Sequence, residues 1–112
     1  MTSGLSSNLE FLHFKDLIER FSRQIILKKI GIIGQKKIIN SKVLIVGMGG
    51  LGCPLLTYLS ASGVGTIGII DHDKVELGNL NRQILFTSQD IGKFKVIQAK
   101  RKIRSNLCAR VE

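Results

Sequence analysis

Four aliphatic residues, Val43-Leu44-Ile45-Val46, run straight into Gly47-Met48-Gly49-Gly50-Leu51-Gly52, and this junction restricts the possible folds more than any other feature of the chain. A run that is apolar at every position suits a strand covered on both faces, as in a parallel sheet. The glycines then permit a tight turn. Residues 54–62 predict a helix with Leu55, Leu56 and Leu59 toward the sheet, and Pro54 fits its first turn, where a missing N–H costs nothing. Gly63 and Gly65 close that helix, and residues 66–70 predict a second strand that stops at Asp71.

The flanking segments extend the same alternation. Residues 1–13 read as a loose tail. Across residues 14–30, Leu17, Ile18, Phe21, Ile25 and Ile26 recur at three- and four-residue steps and predict a helix, interrupted by Gly31 and Gly34 and followed by a short helical piece over 35–39. Residues 72–90 predict a long loop with one helical turn near 79–84, and loops of this length in compact domains are usually functional. A last helix is expected over 92–106, with Val96, Ala99, Ile103 and Leu107 on one face, and residues 109–112 read as the start of a third strand. The expectation is an α/β, Rossmann-like three-layer domain with a parallel sheet over residues 14–112, cut off after the start of the third strand and preceded by an N-terminal helical segment. Open edges and one uncovered face in so small a sheet favour dimerisation or aggregation.

Composition narrows the class without deciding it. The 112 residues allow one domain, and a 44% hydrophobic content allows a packed core. The apolar runs are too short to cross a bilayer, and the polar first eight residues do not resemble a secretory signal, so no membrane role is expected and the cytoplasm is the default compartment. Cys53 and Cys108 form no C-x-x-C pair. The net charge of +9, densest from Lys93 to Arg110, suits polyanions in general and equally a solvated helix face.

The chemistry lies in the glycine turn and in the segment after Asp71. Gly47-x-Gly49-x-x-Gly52 sits after a predicted strand and opens a helix, with Asp71 nineteen positions after Gly52. Here glycines let the backbone approach a phosphate, free N–H groups at the helix start meet its charge, and Asp71 can accept ribose hydroxyls. The next segment offers Asn79-Leu80-Asn81-Arg82-Gln83 and Gly92-Lys93-Phe94-Lys95. Arg82 is a planar fork and Lys95 a mobile point charge, suited to a triphosphate whose pyrophosphate departs with negative charge. An NAD-dependent oxidoreductase needs no such cations beside its ribose acid. Read alone, either cation is as readily a surface charge. Asp71-His72-Asp73 is not read as a metal site, because adjacent residues on an extended chain point different ways. Cys53 reads as a small packed residue rather than a nucleophile, and His13 as incidental.

Taken together, Phe21-Ser22-Arg23-Gln24-Ile25, Gly34-Gln35, the stretch Ser41 to Gly52, Gly63-Val64-Gly65, Asp71-His72-Asp73, Asn79-Leu80-Asn81-Arg82-Gln83 and Gly92-Lys93-Phe94-Lys95 resemble, in order, the ThiF/MoeB/HesA family of ubiquitin-activating-type adenylyltransferases. The resemblance covers residues 17–112 and implies an N-terminal portion of such an enzyme. It implies adenylation by ATP, with Mg2+, of the C-terminal glycine carboxylate of a ubiquitin-like sulfur-carrier protein ending in Gly-Gly, as in thiamine or molybdopterin synthesis. It further implies that Gly47, Gly49, Gly50 and Gly52 line the phosphates, that Asp71 holds the ribose, and that Gly78, Asn79, Leu80, Asn81 and Arg82 wrap the triphosphate. Arg82 and Lys95 would be its main cations, and Arg23 would reach across a homodimer interface to the partner subunit's ATP. No nucleic acid is implied. The family's magnesium-binding aspartate falls past Glu112. The alternatives are a catalytically incomplete nucleotide-binding or dimerisation remnant and an NAD-dependent oxidoreductase fragment.

Overall fold

The computed structural model describes residues 14–106 and 110–111. Its chain divides into two compact units, residues 1–37 and 38–112. In the first, helix α1 (Phe14–Arg20) is followed by α2 (Ser22–Ile25) and by α3 (Gly31–Ile39), which crosses the boundary. The single helix expected over 14–30 breaks at Phe21, whose backbone (φ −105°, ψ 17°) leaves the helical region, and residues 26–30 form turns. As expected, Gly31 interrupts the segment, opening α3 with φ +58°, whereas Gly34 lies inside α3. A helical glycine costs only about 1 kcal/mol against alanine, which surrounding structure can offset. Within this unit the Gln24 amide donates to Gln35 Oε1 at 2.8 Å, and Gln35 is buried.

The second unit has the βαβ order expected from the glycine junction. Strand β1 (Lys42–Val46) leads through the turn into α4 (Gly52–Ala61), then β2 (Thr66–Ile70), and, after the long irregular segment, α5 (Lys95–Asn106) and β3 (Arg110–Val111). The three strands are parallel in the order β1-β2-β3, with Val43 beside Ile67, Ile45 beside Ile69 and Thr66 beside Arg110. The inward residues Ile45, Ile67 and Ile69 meet Cys53 and Leu56 of α4 and Ala99 and Ile103 of α5, and Met48, Val64, Val75 and Phe86 complete the core.

Within the second unit, the described helices cover one face of the sheet. Leu44, Val46 and Ile70 are 60%, 76% and 54% exposed, so the run that suggested burial on both faces is buried on one. Leu55, expected to face the sheet, is exposed instead, while Leu56 and Leu59 pack inward. Pro54 is the third residue of α4, within the turn whose N–H groups lack helical partners. The helix expected from residue 92 begins at Lys95, because Lys74 and Phe94 form an antiparallel bridge that holds residues 92–94 out of it. The long segment contains 3-10 turns at Leu77–Asn79 and Ser88–Asp90, and the turn expected near 79–84 is present as Gln83 N–H to the Asn79 carbonyl at 2.9 Å. Residues 1–13 with His13, and Leu107, Cys108, Ala109 and Glu112, lie outside the described residues. Among the described residues, no helix is long and apolar enough to cross a membrane.

The turn leaves little room for side chains. Gly47 has φ +99°, a region L residues rarely adopt, and a Cβ on Gly52 would stand 1.8 Å from the Gly47 carbonyl oxygen. Nothing lies within 4 Å of a Cβ built on Gly78. Gly52→Ala is therefore expected to lose more than about 2 kcal/mol of stability, or fail to fold, whereas Gly78→Ala should stay within about 1 kcal/mol. Urea unfolding followed by circular dichroism measures both.

Candidate functional site

The site is assembled where β1 and β2 end. Gly47 N–H donates to the Ile70 carbonyl at 2.7 Å, which carries the ladder one residue past the strands. Asp71 then fastens the turn: its Oδ2 accepts the Met48 N–H and its Oδ1 the Asp73 N–H, each at 2.7 Å. The turn closes into α4 through Cys53 N–H to the Gly49 carbonyl at 3.0 Å. Among the described residues, the amides of Gly49, Gly50 and Leu51 donate to no backbone acceptor. Gly50 and Leu51 are exposed and Gly49 is half-buried, so these amides form a patch of unsatisfied donors at the helix start. Gly52, by contrast, is buried against Gly47 and shapes the turn from behind.

The two cations are positioned by different means, Arg82 against Gly50 and Lys95 near Asp71. A short antiparallel ladder runs from Val75 N–H to the Lys93 carbonyl (2.9 Å), Gly92 N–H to the Val75 carbonyl (2.8 Å) and Lys95 N–H to the Asp73 carbonyl (3.0 Å). It starts α5 beside Asp71. Lys95 is 5% exposed, so it is a held charge rather than the mobile one expected, and its field acts on both Asp71 and Cys53. Arg82 is set by the turn before it. Asn79 Oδ1 accepts the Glu76 N–H at 2.9 Å, and the Asn79 carbonyl accepts the N–H groups of Arg82 and Gln83. The Arg82 Nη1 donates to Asn81 Oδ1 at 2.8 Å and to the Gly78 carbonyl at 3.2 Å. Its aliphatic stem lies against Gly50, with Cδ 3.7 Å from where a Cβ would stand. Leu80 packs on the core and anchors the segment.

The structure thus brings together Gly47, Gly49, Gly50, Gly52, Asp71, Gly78, Asn79, Leu80, Asn81, Arg82 and Lys95. Arg23 belongs to the first unit, exposed on α2. Two contributors were not singled out from the sequence. Met48 is fully buried and its amide holds Asp71. Gln83 is buried beside the turn, its Nε2 3.9 Å from a Cβ built on Gly49, and its Oε1 has no partner among the described residues. Gln83 belongs to the Asn79–Gln83 motif, but its burial is a tertiary fact without local signal.

The electrostatics derive from these contacts. Burial works to raise the Asp71 carboxyl, but the amides of Met48 and Asp73, with the charges of Lys95 and His72, outweigh it and hold the group below its ordinary value. Burial pushes the Cys53 thiol up to about 11, opposed by Lys95 and reinforced by Asp71. A thiol so protonated, with no exposed surface, is no nucleophile. The donor atoms of Asp71, His72 and Asp73 do lie within 4.8 Å of one another, which corrects the expectation that they point apart. Both Asp71 oxygens already accept amides, however, and His72 sits 3.3 Å from Asp73 Oδ1, so the group is organised as a turn.

The chain is similar to several known proteins. A family model described as "ThiF family" matches residues 21–109. The sulfur carrier protein adenylyltransferase of Thermus thermophilus is 42% identical over 99 residues, which span 88% of this chain and 36% of that protein. The adenylyltransferase and sulfurtransferase MOCS3 of Aedes aegypti is 57% identical over 79 residues, 70% of this chain and 18% of its own length. Among solved structures, E. coli MccB with ATP superimposes with a TM-score of 0.73 at 38% identity, covering 82% of this chain and 29% of MccB. The chain therefore spans about a third or less of the relatives it matches.

Two outcomes test the site's electrostatics. In a Cys108→Ser background, Cys53 should resist maleimide at about pH 8 in the folded protein and react promptly in urea, as followed by mass spectrometry. Because the folded Asp71 carboxyl titrates below its unfolded value, its stabilisation is complete above the ordinary aspartate value of about 3.9 and is lost as pH falls through the lowered one. Asp71→Asn should lower stability at neutral pH and flatten this acid-side decline in urea titrations.

Proposed function

The chain belongs to the ThiF family, and from that premise we propose that its glycine turn holds ATP for adenylation of the C-terminal glycine carboxylate of a ubiquitin-like sulfur-carrier protein in the cytoplasm. The observation that carries this reading is a convergence: free amides at Gly49–Leu51, the Arg82 stem against Gly50, and Lys95 held beside Asp71. An NAD site has no use for two cations there.

Each residue then has a physical task. The amides of Gly49, Gly50 and Leu51 meet phosphate oxygens, while Gly47 and Gly52 keep the backbone close enough to do so. Asp71 accepts ribose hydroxyls on the lone pairs its two amide contacts leave, since an ionised carboxylate offers about four acceptor positions. Arg82 lends a fork already steadied by Gly78 and Asn81, and Lys95 adds a charge that burial makes stronger than it would be in water. Both cations oppose the negative charge that grows on departing pyrophosphate. Arg23 acts across a homodimer on the partner subunit's nucleotide. Magnesium would neutralise phosphate charge. The turn at Asp71-His72-Asp73 does not fit as its holder, and the aspartate that the family resemblance implies falls past residue 112.

ATP–pyrophosphate exchange with a candidate carrier is the direct test. Carrier-dependent exchange is expected, and Arg82→Ala, at an exposed position, should reduce it by about 100-fold with the fold intact. Calorimetry should show ATP bound more tightly than NAD. Tighter NAD binding would overturn the reading, and ATP binding without exchange would reduce the chain to a nucleotide-binding remnant.

A further inference from the structure

Beside α5 lies a cleft of about 730 Å³ whose lining includes Thr87, Asp90, Lys93, Gln98, Arg101 and Lys102, none of them part of the proposed nucleotide site. Its one carboxylate is spent. Asp90 accepts the Thr87 N–H at 2.7 Å, the Thr87 hydroxyl and the Lys102 ammonium, and Lys102 also donates to the Leu85 carbonyl at 2.8 Å. Burial tends to raise the Asp90 carboxyl, yet these partners hold it below its ordinary value, so it is ionised and paired at neutral pH. The pair makes a firm, internally neutral wall.

Two further cations face the cleft without a counter-charge. Lys93 and Arg101 are exposed and have no ion pair among the described residues. Gln98 adds a donor of a different kind. It is 5% exposed and lines the cleft. A side-chain amide at a cleft wall can donate to and accept from a ligand at once.

From this we infer that the cleft is a second binding site, separate from the nucleotide, that takes a carboxylate-bearing segment of a partner protein. An arginine fork pairs with a carboxylate through two parallel hydrogen bonds, and Gln98 can both donate to and accept from a peptide group. A volume of this size suits several side chains, whereas a single phosphate would leave most of it empty. No aromatic residue lines it, so it offers nothing on which a nucleic-acid base could stack.

The test uses the 112-residue chain and a fluorescein-labelled hexaglutamate peptide, read by fluorescence anisotropy. Arg101→Glu should weaken binding by about tenfold or more, Arg101→Gln by less, and Gln98→Leu by about threefold. Lys37→Glu makes the same change in net charge at an exposed position on α3 and should leave affinity within about twofold. An equal loss from Lys37→Glu would overturn the site in favour of bulk attraction to a basic chain. Displacement of the peptide by an equimolar oligothymidylate, or by pyrophosphate, would overturn it in favour of those ligands. Absence of binding by protein with a cooperative melt would overturn it outright. No nucleotide is needed, so the result is separable from that of the exchange assay.

Discussion

The second unit depends on one carboxylate. Asp71 stands where β2 ends and accepts the amides of Met48 and Asp73, so the chain leaving β1 and the chain leaving β2 are held by the same group. Hydrogen bonds to a charged acceptor are worth about 1.5–3 kcal/mol, roughly twice a neutral one. The consequence is positional as much as energetic. Met48 is held and buried, and among the described residues the next amides, Gly49 to Leu51, donate to no backbone acceptor before the helix starts. Gly52 makes that turn possible, because no side chain fits between it and the Gly47 carbonyl.

The remaining half of the site hangs from the same point. Asp73, whose amide Asp71 holds, accepts the Lys95 N–H through its carbonyl, and the ladder from Val75 to Lys93 extends the contact. Lys95 is buried there, and its charge helps to hold the Asp71 carboxyl below its ordinary value. Arg82 obeys a different logic. It is exposed, and its place comes from the Glu76–Asn79 turn and from the carbonyl of Gly78 and the amide of Asn81 that hold its guanidinium. One cation is set by burial and the other by a local hydrogen-bonded frame.

The sheet tells how much of the fold this chain carries. Three parallel strands with helices on one face leave Leu44, Val46 and Ile70 exposed on the other. A sheet face of this composition ordinarily packs against a second layer. The chain spans 36% of the length of its Thermus thermophilus relative and less of several others. The glycine turn, Asp71 and both cations all fall within that span.

The order of elements, the glycine turn, the acid after the second strand and the identity of the two cations were all legible from residue type and spacing, because each is a local requirement. A turn near φ +99° asks for glycine, and a strand asks for β-branched residues. Spacing cannot reveal what covers a face or fills a gap. Nothing local distinguishes Leu55, which is exposed, from Leu56, which is buried, or marks Gln83 and Met48 as residues beneath the turn. The same holds for the break at Phe21 and for the burial of Lys95. Residue identity and order alone set which chemical groups are carried and in what succession. Which charges are held, which are free and which face of the sheet is bare emerged with three-dimensional packing, since burial is a property of neighbours and not of position in the chain.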